Sequence, residues 1–260
     1  MTDVPRSIEL EVEVPGTAQE VWRAVATGPG ISSWYVPHTV EERSGGAAMA
    51  SFGPEPEMQI PGRVTAWEPP RRVCFDGGEG VEGLAFEWTV TPRGDDRCVV
   101  RLVNSGFGHG GEWDAQYDAM VEGWGLFLCN LRLHLEHFAG QTAVSVLPTA
   151  MTDRPRHGAW AALTAALGIP STPTVGDRLE AGGSGVPPLA GTVVDAAPQR
   201  IALLLDQPAP GTAFLVVESF GEHSGGSVWL YLYGSGAAGT ADRDGPRWQQ
   251  FLTDVIGGGG

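Results

Sequence analysis

A change of period limits this chain more than any other feature. From about His38 to Gly108 it reads as strand-length pieces at 39–43, 47–53, 57–68, 71–76, 83–91 and 97–105, separated by Gly, Pro and Asp turns such as Gly94-Asp95-Asp96. From Trp113 to about Phe138 the apolar period becomes 3.6, with Trp113, Tyr117, Met120, Val121, Trp124, Leu128, Leu131, Leu135 and Phe138 on one face. Ahead of the meander, Ser7 to Val14 alternates as a strand. Thr17 and Glu20 then form a capping box for a short helix carrying Val21, Trp22 and Val25, and Gly28-Pro29-Gly30 interrupts it before a second turn at Trp34-Tyr35. An antiparallel meander followed by one long amphipathic helix buries both apolar faces only if the sheet curls around the helix. The order therefore predicts an α+β helix-grip fold.

The same grammar returns. Gly62-Arg63-Val64 through Arg72-Val73 aligns with Gly191-Thr192-Val193 through Arg200-Ile201 when one gap is allowed, and Asp76 and Asp206 close the strands that follow. Ala85-Phe86 pairs with Ala213-Phe214, Val99 to Val103 with Val228 to Leu232, and Trp124-x-x-Phe127-Leu128 with Trp248-x-x-Phe251-Leu252. Trp160 stands where Trp22 does. The spacing predicts two tandem helix-grip copies, residues 1–140 and a shortened, degenerate 141–260. Residues 1–140 hold 21 acids and 10 arginines, a net of −11; the rest hold 10 acids and 6 arginines, a net of −4.

Composition removes several chemistries. All 16 basic residues are arginine, so Schiff-base formation and a phosphate-loop lysine are excluded. A formal charge of −15 disfavours nucleic acid and anionic membrane as partners. The three cysteines, Cys74, Cys98 and Cys129, lack metal spacing or a paired framework, and no signal-peptide pattern opens the chain, which together predict a cytoplasmic protein whose cysteines are small buried hydrophobes. No cofactor fingerprint appears.

Val21-Trp22-Arg23-Ala24-Val25, Ile31-Ser32-Ser33-Trp34-Tyr35, Gly62-Arg63-Val64 leading to Trp67-Glu68-Pro69-Pro70-Arg71-Arg72-Val73, and Gly123-Trp124 resemble the Hsp90-ATPase-activator-homologue-like branch of the START-like (SRPBCC, birch-pollen-allergen-like) superfamily. The resemblance covers residues 7–139 well and the second half weakly. It implies the helix-grip fold, and a superfamily that includes lipid and small-molecule carriers, polyketide aromatase/cyclases, resistance proteins and co-chaperone domains, among which the fold does not choose.

A helix-grip fold leaves a cavity between sheet and long helix, a default ligand site. The residues expected to face it are Trp34, Trp67, Phe86, Trp88, Trp113, Tyr117, Met120 and Trp124. Core filling is the alternative for each. Gly123 and Gly125 beside Trp124 mark either open space or tight helix-to-sheet packing. No catalytic constellation is assigned. The one candidate is His109, in the glycine-rich entrance to the long helix and the only histidine placed near a cavity mouth, with Glu112, Asp114 or Tyr117 to orient it. Glu112 and Asp114 equally suit a helix N-terminus. His134, Glu136 and His137 lack the further convergent ligands that a metal needs, and histidines near a helix C-terminus suit the dipole. The acidic runs Glu9-Glu11-Glu13 and Glu41-Glu42 read as solvated strand faces.

The expected function is binding of a small hydrophobic or aromatic ligand by the first copy, without cofactor, metal, nucleic acid or membrane, and with self-association open. A polyketide-type aromatase/cyclase and a protein-interaction or co-chaperone-like module are the alternatives.

Overall fold

The computed structural model describes residues 6–77, 83–107, 111–183, 185–220 and 223–257. The chain divides into two compact units, Met1–Thr142 and Ala143–Gly260.

Unit 1 begins with β1 (Arg6–Pro15), α1 (Ala18–Ala26) and α2 (Gly28–Ser32), followed by strands β2 (His38–Val40), β3 (Ala47–Ser51), β4 (Gln59–Glu68), β5 (Arg72–Asp76), β6 (Ala85–Pro92) and β7 (Arg97–Phe107), and ends in α3 (Gly111–His137). Its seven strands form one antiparallel sheet in the order β1-β7-β6-β5-β4-β3-β2. The capping box at α1 forms as expected: the Glu20 N–H donates to Thr17 Oγ1 at 3.4 Å, and the Thr17 N–H donates to Glu20 Oε2 at 2.8 Å. The acids of edge strand β1 face solvent and meet arginines of β7, with Arg101 Nη2 donating to Glu9 Oε2 at 2.7 Å and Arg97 paired to Glu13. Charged ladders of this kind keep an edge strand from pairing with another chain.

Strand β4 changes face partway along. The register slips between Val64 and Ala66, so Val64 opposes Phe75 while Trp67 opposes Val73. The extra residue, Thr65, makes a β-bulge that puts Val64 and Trp67 on one face despite their spacing of three.

Unit 2 contains β8 (Val144–Val146), β9 (Thr149–Thr152), α4 (Arg156–Leu167), β10 (Arg178–Glu180), β11 (Ala190–Ala197), β12 (Arg200–Gln207), β13 (Gly211–Phe220), β14 (His223–Leu232) and α5 (Ala237–Leu252). Its sheet runs β10-β11-β12-β13-β14-β8, with β9 also on β14. Both sheets have seven strands, and in unit 2 the first two, β8 and β9, share the place beside the last strand that β1 holds in unit 1. The bulge recurs between Val193 and Asp195. So does a bond across the neighbouring hairpin: the Val90 N–H donates to Arg71 O and the Val217 N–H donates to Gln199 O. The two units are tandem copies of one α+β helix-grip fold. The register corrects one expected pairing. Ala213, which lies in the core cluster of unit 2, takes the place of Phe86, and Phe214 points to the opposite face.

Among the described residues no helix is long and apolar enough to cross a membrane.

Candidate functional site

The site is built on a close approach of two short helices. A Cβ at Gly30 would stand 1.9 Å from Arg23 O, so only glycine lets α2 lie this tightly on α1. The segment that follows is tied down by its own hydroxyls. Ser32 Oγ donates to Gly28 O at 2.7 Å and accepts the His38 N–H at 2.8 Å, while Ser33 Oγ donates to Pro29 O at 2.8 Å. Held in this way, the irregular stretch Trp34-Tyr35-Val36-Pro37-His38 turns three rings, Trp34, Tyr35 and His38, towards the sheet.

There they line a cavity of about 220 Å³ together with Phe75, Phe86 and Trp88 from the sheet, Met120 and Trp124 from α3, and small residues of β3 such as Ala48 and Ala50. Phe52, exposed to 41 %, marks where it meets solvent. The rings stack on each other. Trp88 lies edge-on to both Trp34 and Trp124 with centroids 5.5 Å apart, and Tyr35 meets Phe127 at 4.3 Å and Trp124 at 5.2 Å. Two indoles have their N–H groups engaged within the protein: Trp34 Nε1 donates to Ala24 O at 2.9 Å, and Trp124 Nε1 donates to Asn104 Oδ1 at 3.2 Å. Asn104, fully buried, also donates to Ala85 O at 3.2 Å.

Two of the residues that line the wall, His38 and Tyr35, carry polar ring atoms. His38 Nδ1 lies 2.8 Å from Val36 O. A carbonyl oxygen only accepts, so Nδ1 carries the hydrogen and Nε2 of the neutral ring presents a lone pair. Burial pushes the His38 pKa below the usual histidine value, against the opposing effect of the Val36 bond. Burial likewise raises the Tyr35 phenol well above its ordinary value, which keeps its proton on Oη. Asp76 is the charged residue among the described residues that line the cavity. It accepts the Arg63 backbone N–H at 2.8 Å and pairs with the Arg63 guanidinium at 2.9 Å.

Of the residues expected to face the cavity, Trp34, Phe86, Trp88, Met120 and Trp124 do so. Trp67 and Tyr117 stand elsewhere. Trp67 is on the inner face, but its partner is Val73 rather than the cavity-lining Phe75, and it packs edge-on to Trp22 at 5.0 Å. Tyr117 donates to Ser7 O at 3.2 Å with its ring against Phe107 and under the Arg6 guanidinium. The side chain of Trp113, the whole of His109, and the side chains of Glu112 and Asp114 lie outside the described residues. His109 was expected to be the only histidine near the cavity mouth; His38, read from sequence merely as the start of a strand, is on the cavity wall. Tyr35 and Phe75 were also missed. Close packing does not explain the two helix glycines: a Cβ at Gly125 would meet nothing within 4 Å, and at Gly123 only the Phe127 ring at 4.0 Å. His134 is 3 % exposed, and burial brings its pKa down to about 4. Cys74, Cys98 and Cys129 are not joined in disulfides, and burial pushes Cys74 up to about 11, far from a reactive thiolate.

The equivalent place in unit 2 is built differently. By register, Ala213, Leu215 and Leu230 replace Phe86, Trp88 and Asn104, and all three are fully buried. Trp248 keeps the helix position of Trp124. With leucine where the asparagine would be, its buried Nε1 has no hydrogen-bond partner among the described residues.

Antiparallel sheet, long helix and an aromatic-lined cavity that meets solvent give unit 1 the helix-grip fold of the START-like (SRPBCC) superfamily. Within it, residues 5–130 match the family described as "Polyketide cyclase / dehydrase and lipid transport". No curated protein matches the chain. Solved structures similar to it include the Aha1 dimer from Colwellia psychrerythraea, at 16 % identity over 51 % of this chain and 97 % of that one with a TM-score of 0.44. CalU16 from Micromonospora echinospora is 21 % identical over 51 % of this chain and 78 % of its own, with a TM-score of 0.42. The di-domain ARO/CYC BexL from the BE-7585A biosynthetic pathway is 18 % identical over 96 % of this chain and 98 % of its own, with a TM-score of 0.48.

Proposed function

We propose that unit 1 binds a small, largely apolar aromatic ligand of one or two fused rings in the cavity between sheet and α3. The observation that carries this reading is a wall of aromatic faces, two of whose indole N–H groups are already bonded within the protein, around about 220 Å³. An apolar cavity of roughly 150 Å³ accepts one benzene ring. The volume here therefore suits a bicycle and is small for a long acyl chain or a four-ring skeleton. Calorimetric thermal shifts with toluene, naphthalene, pyrene and oleate test the size argument. Naphthalene is expected to stabilise most, by about 2.7 kcal/mol at one hundred times its dissociation constant. No shift with any member of the panel overturns the reading.

A dehydrating ring-closure enzyme is the second reading, favoured by His38 Nε2 and Tyr35 Oη standing on one cavity wall and by the cyclase/dehydrase family match. In a β-hydroxyketone, His38 would take the α-proton while Tyr35 hydrogen-bonds the carbonyl oxygen. The same imidazolium would then return that proton to the departing hydroxyl as water. Conversion of 3-hydroxycyclohexanone to cyclohexenone, lost in His38→Gln, is the expected result. Equal rates in variant and wild type remove His38 from this role.

A further inference from the structure

The cavity has a polar end, and its chemistry narrows the ligand class. We infer that the site selects uncharged rings bearing a hydroxyl, which donates to His38 Nε2 and accepts from Tyr35 Oη, and rejects the corresponding carboxylates; this rests on the aromatic-ligand reading above.

Three observations carry it. The first is the geometry of the two polar groups. The Tyr35 and His38 rings lie 5.4 Å apart, centroid to centroid, on the same wall. The His38 hydrogen is committed to Val36 O, so Nε2 offers a lone pair, whereas no hydrogen bond occupies Tyr35 Oη among the described residues. An acceptor beside a group that both donates and accepts is the pattern that a single hydroxyl completes. A bare hydrocarbon leaves both groups dry and unpaired, which is costly.

The second is charge. No arginine lines the cavity, and the chain has no lysine. The charged residue among the described residues that line the cavity is Asp76, whose carboxylate is paired with Arg63. An anionic ligand would exchange its water for a phenol donor and an imidazole lone pair, with no cation among the described lining residues to offset its charge. Desolvating an unpaired carboxylate is among the most expensive moves available in a protein interior.

The third is that the protein itself holds this end in place. Ser32 Oγ takes the His38 N–H, and Val36 O takes the ring, so the His38 side chain need not reorganise to receive a hydroxyl.

Isothermal titration of the full chain near neutral pH with naphthalene, 2-naphthol and 2-naphthoate separates the outcomes. The expected order is 2-naphthol about tenfold tighter than naphthalene, the worth of one net hydrogen bond, with 2-naphthoate at least about a hundredfold weaker than 2-naphthol. In His38→Phe the ratio of naphthol to naphthalene affinity should fall to about one. Tyr35→Phe supplies a second variant if that one fails to fold, and the wild-type ligand order stands as a test without either. If naphthalene binds but naphthol gains nothing, or naphthoate equals naphthol, the inference is overturned and the aromatic-ligand reading survives. If none of the three binds, the reading falls and takes the inference with it.

Discussion

The neutral, buried His134 makes a quantitative claim about acid stability. Its pKa is about 4 in the folded protein, because burial penalises the charged ring, and returns to about 6.5 when the chain unfolds. Between those values the unfolded chain binds a proton that the folded chain does not. Stability must therefore fall as the pH is lowered through this window and level off below it. At about 1.4 kcal/mol for each pH unit the full loss is about 3 kcal/mol, most of it reached by about pH 4.5. The perturbation is His134→Gln, which keeps a hydrogen-bonding side chain but cannot titrate. The assay is urea unfolding followed by far-ultraviolet circular dichroism at a series of pH values, comparing the change in stability with pH rather than its absolute level. Contributions from carboxylates and from His38 are common to both proteins and cancel. Wild type should lose about 2–3 kcal/mol more than the variant between about pH 7 and pH 4.5. Parallel curves for the two proteins would refute the reasoning.

Other outcomes follow from the same geometry. Binding of 2-naphthol should be flat from about pH 8 to the ordinary histidine range and weaken only below it, because burial lowers the His38 pKa and the protonated ring cannot accept; titration calorimetry across pH checks this. Trp67→Leu should cost about 1–3 kcal/mol in unfolding free energy, through its lost edge contact with Trp22 and lost apolar area, yet leave the naphthalene dissociation constant unchanged. Gly30→Ala should lower stability and binding together, since the added methyl must push α2 off Arg23 O and carry Trp34, Tyr35 and His38 with it; thermal unfolding and calorimetry on one preparation read both.

The large elements were legible because their signals are local. The expected strands at 47–53 and 71–76 match β3 and β5 closely, and the helix read from Trp113 to Phe138 runs from Gly111 to His137. The meander order and its repetition follow from turn residues and from motifs that recur along the chain. The cavity did not follow so directly. Period two assigns faces only while pairing is regular, and the bulge at Thr65 reverses the count just before Trp67, with the result that a correct inward assignment still gave the wrong row of the sheet. Tyr35 and His38 escaped for the opposite reason. They lie in a stretch with no period at all, where neighbours such as Trp34 and Tyr35 both turn inward, and nothing in a one-dimensional pattern states that. A run of rings bounded by Pro37 was the available clue. The orphaned indole of Trp248 lay beyond sequence reading as well, because it depends on which residue of β14 faces the helix.

That indole has a spectroscopic consequence. Trp124 and Trp248 hold equivalent helix positions, but the first gives its N–H to a carboxamide and the second, fully buried, to no partner among the described residues. They are different chromophores: the unbonded, dry ring emits towards the blue, and its ring proton should exchange with solvent only when unit 2 opens. The two indole ring protons thus report on the two units separately, and the order in which the units open can be followed from their exchange with solvent.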